Sequence, residues 1–530
     1  MTIRAAIIGA GVSGLVSIKQ CLEDNIEPVC FEAQGHIGGQ WRYTEPDPQT
    51  GEVVSSIYRS IVINTSTNVM NMSDFPMDPK IYPTFPHHRH VQKYFEDYAD
   101  FFGLYPFIRF RHRVLSITPI HDNKWLVQTR PDDGIPTEEV FDAVFVCTGH
   151  HSTPNIPDWE GVEDFKRNGG ELIHSHNYRD PAPYIGENVA VVGIGNSGVD
   201  IGSDLSTIAN DLHLITRSGA WVYPRLICGQ AYETLIRRAF LAILPRFFAA
   251  LFLQFVFTVT LGSIPPALKP KHDILQAHPT IRSDLFERIR TGTIKPHRAE
   301  ISRFTDRGIE LTNGERIEPL SKVVACTGYK VRSTIITLDE LNAVRVIIKN
   351  DSTNWVNLHR MVIPPKYPTL FFIGLVQPLG AIMPTSELQS RWATSVIHGE
   401  ISLPPAEEMQ KLVDQYKDNL KKTYVTSARH TIQVDYLPYM DSLANDLGTG
   451  ISPWRFIKTF GLIKGLNAMK AVYFGMPGSA QFRLFGKGAK TELARLGSER
   501  IYMGQDVVMS DQEKEELEKF RKVKAKVISI

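Results

Sequence analysis

Apolar runs that end in glycine recur along the chain, and the spacing of apolar positions between them alternates between strand and helix. Ala5–Ile8 is continuously apolar and leads into Gly9-Ala10-Gly11-Val12-Ser13-Gly14, after which the apolar positions take helical spacing. This predicts strand, tight turn and helix. The next apolar run, Pro28-Val29-Cys30-Phe31, ends at Glu32. His90–Phe102 has the spacing of an amphipathic helix. Val114–Thr118 and Trp125–Thr129 read as strands, and Phe141–Cys147 as a buried strand closed by Thr148-Gly149-His150-His151. Pro154-Asn155-Ile156-Pro157 then breaks the chain. After it the pattern starts again. Asn188–Val192 feeds Gly193-Ile194-Gly195-Asn196-Ser197-Gly198, a helix to about Asn210 follows, and the strand Leu212–Thr216 ends at Arg217. Val323–Tyr329 repeats the form of Val144–Gly149, an apolar strand ending Cys-Thr-Gly. Leu370–Gly374 reads as a further buried strand, Leu375–Pro384 as a loop and Thr385–Gly399 as a helix.

These elements predict an α/β fold with two Rossmann-like dinucleotide-binding domains, the second inserted in the first, plus a helical insertion and a C-terminal α-rich region. The expected boundaries are 1–152 for the first part of the first domain and 153–328 for the second domain, with an inserted segment at 220–301. Residues 329–445 would return to the first domain, and 446–530 would form the C-terminal helical region. In each glycine turn the first glycine permits the turn, the second lets a pyrophosphate approach bare backbone, and the third lets helix and strand pack closely. The free N–H groups of the helix start face the phosphates. Glu32 stands 18 residues after Gly14, and Arg217 stands 19 after Gly198. A carboxylate suits a ribose 2′-hydroxyl and a guanidinium suits a 2′-phosphate, which points to FAD in the first turn and NADPH in the second.

Other stretches leave their readings open. Gly38-Gly39-Gln40-Trp41-Arg42 is either a plain loop or a place where Trp41 meets a flat ring and Arg42 a phosphate. Ile61–Ser66 reads as an apolar strand with small polar residues at its end, where Asn64 either caps the next segment or presents its amide to a ligand. Phe247–Leu261 is almost wholly apolar but too short to span a bilayer, and basic residues flank it. It suits a buried core helix or, better, a segment dipping into one leaflet. From Ser452 onward basic and apolar residues alternate, and the last twenty residues are acidic at Asp511–Glu518, then basic at Lys519–Lys526.

Composition narrows the field. The chain has 530 residues, 43% hydrophobic and 22% charged, with net charge +1, and this gives no case for a nucleic-acid partner. Its five cysteines are scattered without a CxxC pair, which argues against a disulfide scaffold, a zinc site or a dithiol reductase and suits a reducing, cytosol-facing location. The chain enters its first strand at once, so no cleaved signal peptide is expected.

Together these residues resemble the flavin-containing monooxygenases of the vertebrate microsomal type, of which dimethylaniline monooxygenase is representative, over roughly residues 3–510. Besides the two glycine turns, the resemblance rests on Gly38–Trp41, Asn64–Ser66, Ser73-Asp74-Phe75-Pro76, Cys147–His151, Gly193–Asp200, Arg217–Trp221 and Phe372–Arg391. The family fingerprint FxGxxxHSxxY is partly kept: His174, Ser175 and Tyr178 fit, but Asn168 stands where phenylalanine is expected and Phe165 comes three residues early. The resemblance implies an enzyme that uses FAD, NADPH and dioxygen to oxygenate soft nucleophiles, N- or S-oxidation of amines and thioethers, through a 4a-hydroperoxyflavin. Baeyer–Villiger oxidation of ketones and uncoupled oxidation of NADPH to hydrogen peroxide are the alternatives.

It further implies that Asn64 acts in catalysis, between the flavin adduct and the nicotinamide. Gly9, Ala10, Gly11, Val12, Ser13, Gly14, Glu32, Gln40, Trp41, Arg42, Asn64 and Thr65 are its expected contacts for FAD; Gly193, Gly195, Asn196, Ser197, Gly198, Asp200 and Arg217 are those for NADPH and NADP+. His174 and Tyr178 are expected to be structural, and no metal is expected. A location on the cytosolic face of the endoplasmic reticulum, with peripheral or monotopic membrane contact, follows from the same resemblance, which also allows a homodimer. The family's hydrophobic C-terminal anchor is not evident, so membrane contact would rest on Phe247–Leu261 and Trp454–Phe474.

Overall fold

The computed structural model describes residues 2–331, 354–425, 427 and 430–504. Its frame is two parallel five-stranded sheets. The first runs Leu370–Phe372, Ala143–Val146, Arg4–Ile8, Glu27–Phe31, Ile108–Arg109. The second runs Lys295–His297, Asp211–Ile215, Asn188–Val192, Lys322–Ala325, Glu171–His174. Register brings the strand ends into line. Ile8 pairs with Phe31 and Val146, so Gly9, Glu32 and Cys147 emerge at one edge. Val192 pairs with Ile215 and Ala325, so Gly193, Thr216 and Cys326 do the same. In open parallel sheets this carboxyl edge is where ligands bind.

Each sheet receives one strand through a three-stranded antiparallel meander. His112–Pro119, Trp125–Pro131 and Thr137–Phe141 precede Ala143–Val146; Ile301–Phe304, Ile309–Leu311 and Arg316–Ile317 precede Lys322–Ala325. The expected strands and the helix His88–Phe102 form with bounds shifted by a few residues. The expected strand Ile61–Ser66 does not form. Only Val62 makes a bridge, to His87, because the facing segment includes Pro86, which has no N–H to give. The segment runs instead into the short helix Thr67–Met70, with Ser66 at its N-cap.

The helix Ile382–Ile397 lies against the first helix, Val12–Glu23, at hydroxyl contacts Ser13–Ser386 (3.1 Å) and Ser17–Ser390 (3.0 Å). A buried ionic cluster fastens the C-terminal region to this layer. Lys19 pairs with Asp74 (2.5 Å), Arg483 with Glu387 (2.8 Å), and Lys490 with Asp74 (3.1 Å). Burial would raise Asp74, but Lys19, Lys490 and Arg483 outweigh it and hold the carboxyl well below its ordinary range.

Within residues 220–301 the ends are drawn together by a short strand pair, Val222–Tyr223 with Thr280–Ile281, and the segment is joined to the second half by Thr280 to the Ile194 carbonyl (2.8 Å), by Arg282 to Asp200 (3.0 Å) and by the edge strand Lys295–His297. Its helix Arg246–Leu261 buries Ala250 and Phe257 and leaves Phe247, Phe248, Leu251, Phe252, Phe255 and Val259 exposed. It is therefore no core helix. The neighbouring helix Arg238–Ile243, with Leu241 and Ile243 exposed, packs on Leu462–Phe474, which exposes Leu462, Ile463 and Leu466. Among the described residues no helix is long and apolar enough to cross a membrane. The acidic and basic tail, 511–526, lies outside the described residues.

Candidate functional site

The two glycine turns share one plan. Gly9 and Gly193 adopt φ of 97° and 111°, values that side-chain-bearing residues rarely reach. A Cβ on Gly14 would collide with the Gly9 carbonyl oxygen, and one on Gly198 with that of Gly193. The helices they open, Val12–Glu23 and Asn196–Leu205, start at Gly11 and Gly195 without a side-chain cap and without an acid in the first turn. Their first N–H groups are thus left for an anion. In the first turn Gly39 stands over Gly11, and a Cβ added at Gly39 would lie 3.0 Å from the Gly11 Cα. Only glycine allows that close approach, and the uncapped helix start that it leaves bare suits a pyrophosphate, so the residues present fit FAD.

The strand ends differ. Glu32 is buried; its Oε2 accepts the Ala10 N–H at 2.6 Å and its Oε1 the Gln34 N–H at 2.7 Å. Burial raises its carboxyl from the usual range, opposed by these N–H groups and by Arg113. Glu32 therefore braces the glycine turn and keeps spare lone pairs for a ribose hydroxyl. Arg217 is 73% exposed, and its nearest anion is Glu300 at 3.5 Å, so its guanidinium is accessible to a phosphate.

The remaining expected residues fall into two groups. Gln40 meets the His151 ring (2.9 Å) and Trp41 packs beside the first core. Ser13, buried, meets Ser386. Val12, Thr65, Gly195 and Ser197 are partly open along the turns. Others are engaged by the protein. Arg42 pairs with Glu96 (3.0 Å), and Asn196 accepts the Ile281 N–H (2.9 Å). Asp200 is buried, paired with Arg282 (3.0 Å) and hydrogen-bonded by Tyr58 (3.1 Å), so its carboxylate braces the helix from inside.

Asn64 is not a helix cap. Its Oδ1 accepts from Arg225, at 2.8 Å from Nη2 and 3.2 Å from Nε, and Arg225 also reaches the Val62 carbonyl at 3.3 Å. A guanidinium has only donors, so the amide must turn its oxygen to Arg225 and its NH2 away. Pattern reading missed Arg225, which lies 161 residues further along the chain.

The fingerprint residues sit at the joint between the halves. His174 Nε2 donates to the Gly328 carbonyl (3.0 Å) and its Nδ1 accepts the His176 N–H (3.1 Å). That pattern needs a neutral ring, and burial pushes the imidazole down to about 4. Tyr178 is buried against Tyr58 and Tyr184. The displaced Phe165 still reaches its place: its ring covers Gly170, where a Cβ would strike it. The outgoing and returning connections pair here, Asn155 N–H to Gly328 (2.9 Å) and Lys330 N–H to Thr153 (2.9 Å). Among the described residues no cluster could hold a metal ion.

Comparison with known proteins agrees with this geometry. The pattern of the flavin-binding monooxygenase-like family matches residues 2–510. The chain is 40% identical to flavin-containing monooxygenase 5 of Oryctolagus cuniculus over 458 residues, 84% of this chain and 83% of the relative. It is 34% identical to dimethylaniline monooxygenase [N-oxide-forming] 2 of Cavia porcellus over 501 residues, 92% of this chain and 90% of the relative. Among solved structures it is similar to S-allyl-L-cysteine S-oxygenase from Allium sativum, with TM-score 0.65 and 25% identity, covering 95% of this chain and 99% of that one.

Proposed function

The chain belongs to the flavin-binding monooxygenase-like family, and on that premise we propose how its own residues divide the work. The protein is a flavin-containing monooxygenase that oxygenates soft nucleophiles. Its cofactors are FAD and NADPH. When bound, they supply the reducing electrons and the activation of dioxygen, chemistry that no side chain provides.

In this reading the turn Gly9–Gly14 and Glu32 hold FAD as a resident group, the turn at Gly193–Gly198 holds the pyrophosphate of NADPH, and Arg217 takes its 2′-phosphate. Arg225 fixes the Asn64 amide with its NH2 outward, so Asn64 would donate a hydrogen bond to the reacting atoms without bringing an acidic proton. That orientation is the observation that carries the assignment of Asn64. It matters because a stray proton or water at such a site diverts oxygen to peroxide. No acid–base pair tailored to the substrate is needed, since a soft nucleophile brings its own lone pair. The decisive experiment is NADPH-dependent oxygen uptake by the yellow protein with a tertiary amine, a thioether and a ketone, counting product and peroxide. Product from amine or thioether supports the reading; product from the ketone alone replaces it with Baeyer–Villiger chemistry; peroxide alone makes the protein an oxidase.

The apolar face of Arg246–Leu261 and its neighbours Leu241, Ile243, Leu462 and Ile463 forms a surface of the kind that rests in one bilayer leaflet. This supports monotopic membrane contact, and the family resemblance is what points to the cytosolic face of the endoplasmic reticulum. Co-sedimentation with phosphatidylcholine vesicles tests it: wild type should pellet, and F247E/F255E should stay in the supernatant.

A further inference from the structure

The insertion grips the Asn64 segment at a second point. Glu233, on the short turn Tyr232–Leu235, is 1% exposed. Its Oε1 accepts the backbone N–H of Ser66 at 2.8 Å, across 167 residues of chain. Its Oε2 is buried with no hydrogen-bond partner among the described residues. No described cation pairs with it. Arg225 is occupied with Asn64 and Val62, Arg237 with the Thr234 carbonyl, and Arg238 with Asp441 and Gln481. The facing helix Thr67–Met70 carries no charge. The titratable neighbour is Tyr232, on the same turn, whose phenol is pushed up by burial and then by Glu233. Burying a carboxyl group in such a place is unfavourable, so its presence asks for a role.

Ser66 shows what that role is. Its N–H is held by Glu233, while its carbonyl accepts the N–H groups of Val69 and Met70 at 3.0 Å each. It thus anchors the end of the Asn64-Thr65-Ser66 turn, and Arg225 anchors the start. We propose that Glu233 is a positioning residue for Asn64: its carboxyl group pins the Ser66 backbone to the insertion, so that Arg225 and Glu233 together set where the Asn64 amide stands. This rests on the reading of Asn64 as the group that meets the reacting atoms.

The same carboxyl makes the hold sensitive to pH. Burial raises Glu233 to about 7, against the Ser66 backbone N–H that lowers it. The protonated group is neutral, and its Oε1 still accepts the Ser66 N–H. The ionised group is a charge without a cation in a dry place, relieved only by letting water in. For a carboxyl raised above its ordinary value, the penalty begins above that value and is complete above about 7. The hold therefore weakens as pH rises through neutrality.

The test reads coupling, product formed per NADPH oxidised with methyl phenyl sulfide, and the thermal midpoint of the apoprotein, both from pH 6 to 8.5. Wild-type coupling should fall about threefold over that interval, and its midpoint should fall with it. E233L should lose coupling about tenfold at every pH. E233Q, which keeps the acceptor and cannot ionise, should recover coupling relative to E233L and flatten both pH profiles. N64A should uncouple, and N64A/E233L should be no worse than N64A. If N64A stays coupled, the reading of Asn64 falls, and this proposal with it. If N64A uncouples while E233Q keeps the wild-type pH slopes, or the N64A and E233L losses multiply, this proposal alone is overturned. Should E233L not fold, the E233Q profiles still decide.

Discussion

At the carboxyl edge of the first sheet the selecting side chain, Glu32, is buried and spends an oxygen on each of two backbone N–H groups. At the same edge of the second sheet it is Arg217, mostly in solvent, with Glu300 as its ion-pair partner among the described residues. The turns themselves share the positive φ of their first glycine, the same collision at their third and the same uncapped helix start. In the division of work proposed above, phosphate capture is common to both turns and nucleotide identity is read at the strand end. The difference fits the residence time of each ligand. A cofactor that stays can be met by a group that braces the fold. A cofactor that leaves at every turnover would be met, in this reading, by an exposed cation.

That contrast can be broken most severely at the third glycines. G14A and G198A each force a methyl into a carbonyl oxygen, at a cost of about 3 kcal/mol in local strain. G14A should be isolated without flavin, while G198A should stay yellow and lose reduction by NADPH; absorbance at 450 nm and stopped-flow bleaching separate them. Equal flavin loss in both would mean that the turns are not divided as proposed. Next comes R217A. Losing one charge-assisted phosphate contact, about 1.5–3 kcal/mol, should raise KM for NADPH roughly 10- to 100-fold and leave NADH nearly unchanged. E32Q should be milder. One acceptor survives, but an NH2 now faces the other backbone N–H, and flavin affinity should fall about tenfold by titration of the apoprotein. The smallest effect is expected of R42A. Arg42 is already paired with Glu96 and partly exposed, so flavin retention should change less than about threefold. A larger loss would place its guanidinium on the pyrophosphate.

What could be read from the sequence was what is local. Glycine spacing, apolar runs and the residue closing each second strand lie within a few dozen positions, and the fold uses them twice. Ile61–Ser66 misled because its apolar character belongs to a strap under the insertion, with Pro86 on the facing side. Arg225 and Glu233 were invisible for another reason. Their partners lie 161 and 167 residues away, and nothing in an arginine or a glutamate announces which distant backbone it will meet. The same holds for Lys19, Asp74, Glu387 and Arg483, charged residues of a kind that is mostly exposed, which the fold encloses as two cations with two anions. Asp200 sits in a matching motif position, yet it faces Arg282 and Tyr58 inside the fold.

The hydrogen bonds that join Asn155 to Gly328 and Lys330 to Thr153 have an architectural consequence. Everything between those two crossings departs and comes back through a single doorway, so the loop it forms is already closed at its neck. A short turn joining Thr153 to Lys330 would therefore close the remaining chain at little entropic cost, and what excision would forfeit is contact rather than connectivity: the holds of Arg225 on Asn64, Glu233 on Ser66 and Arg238 on Asp441.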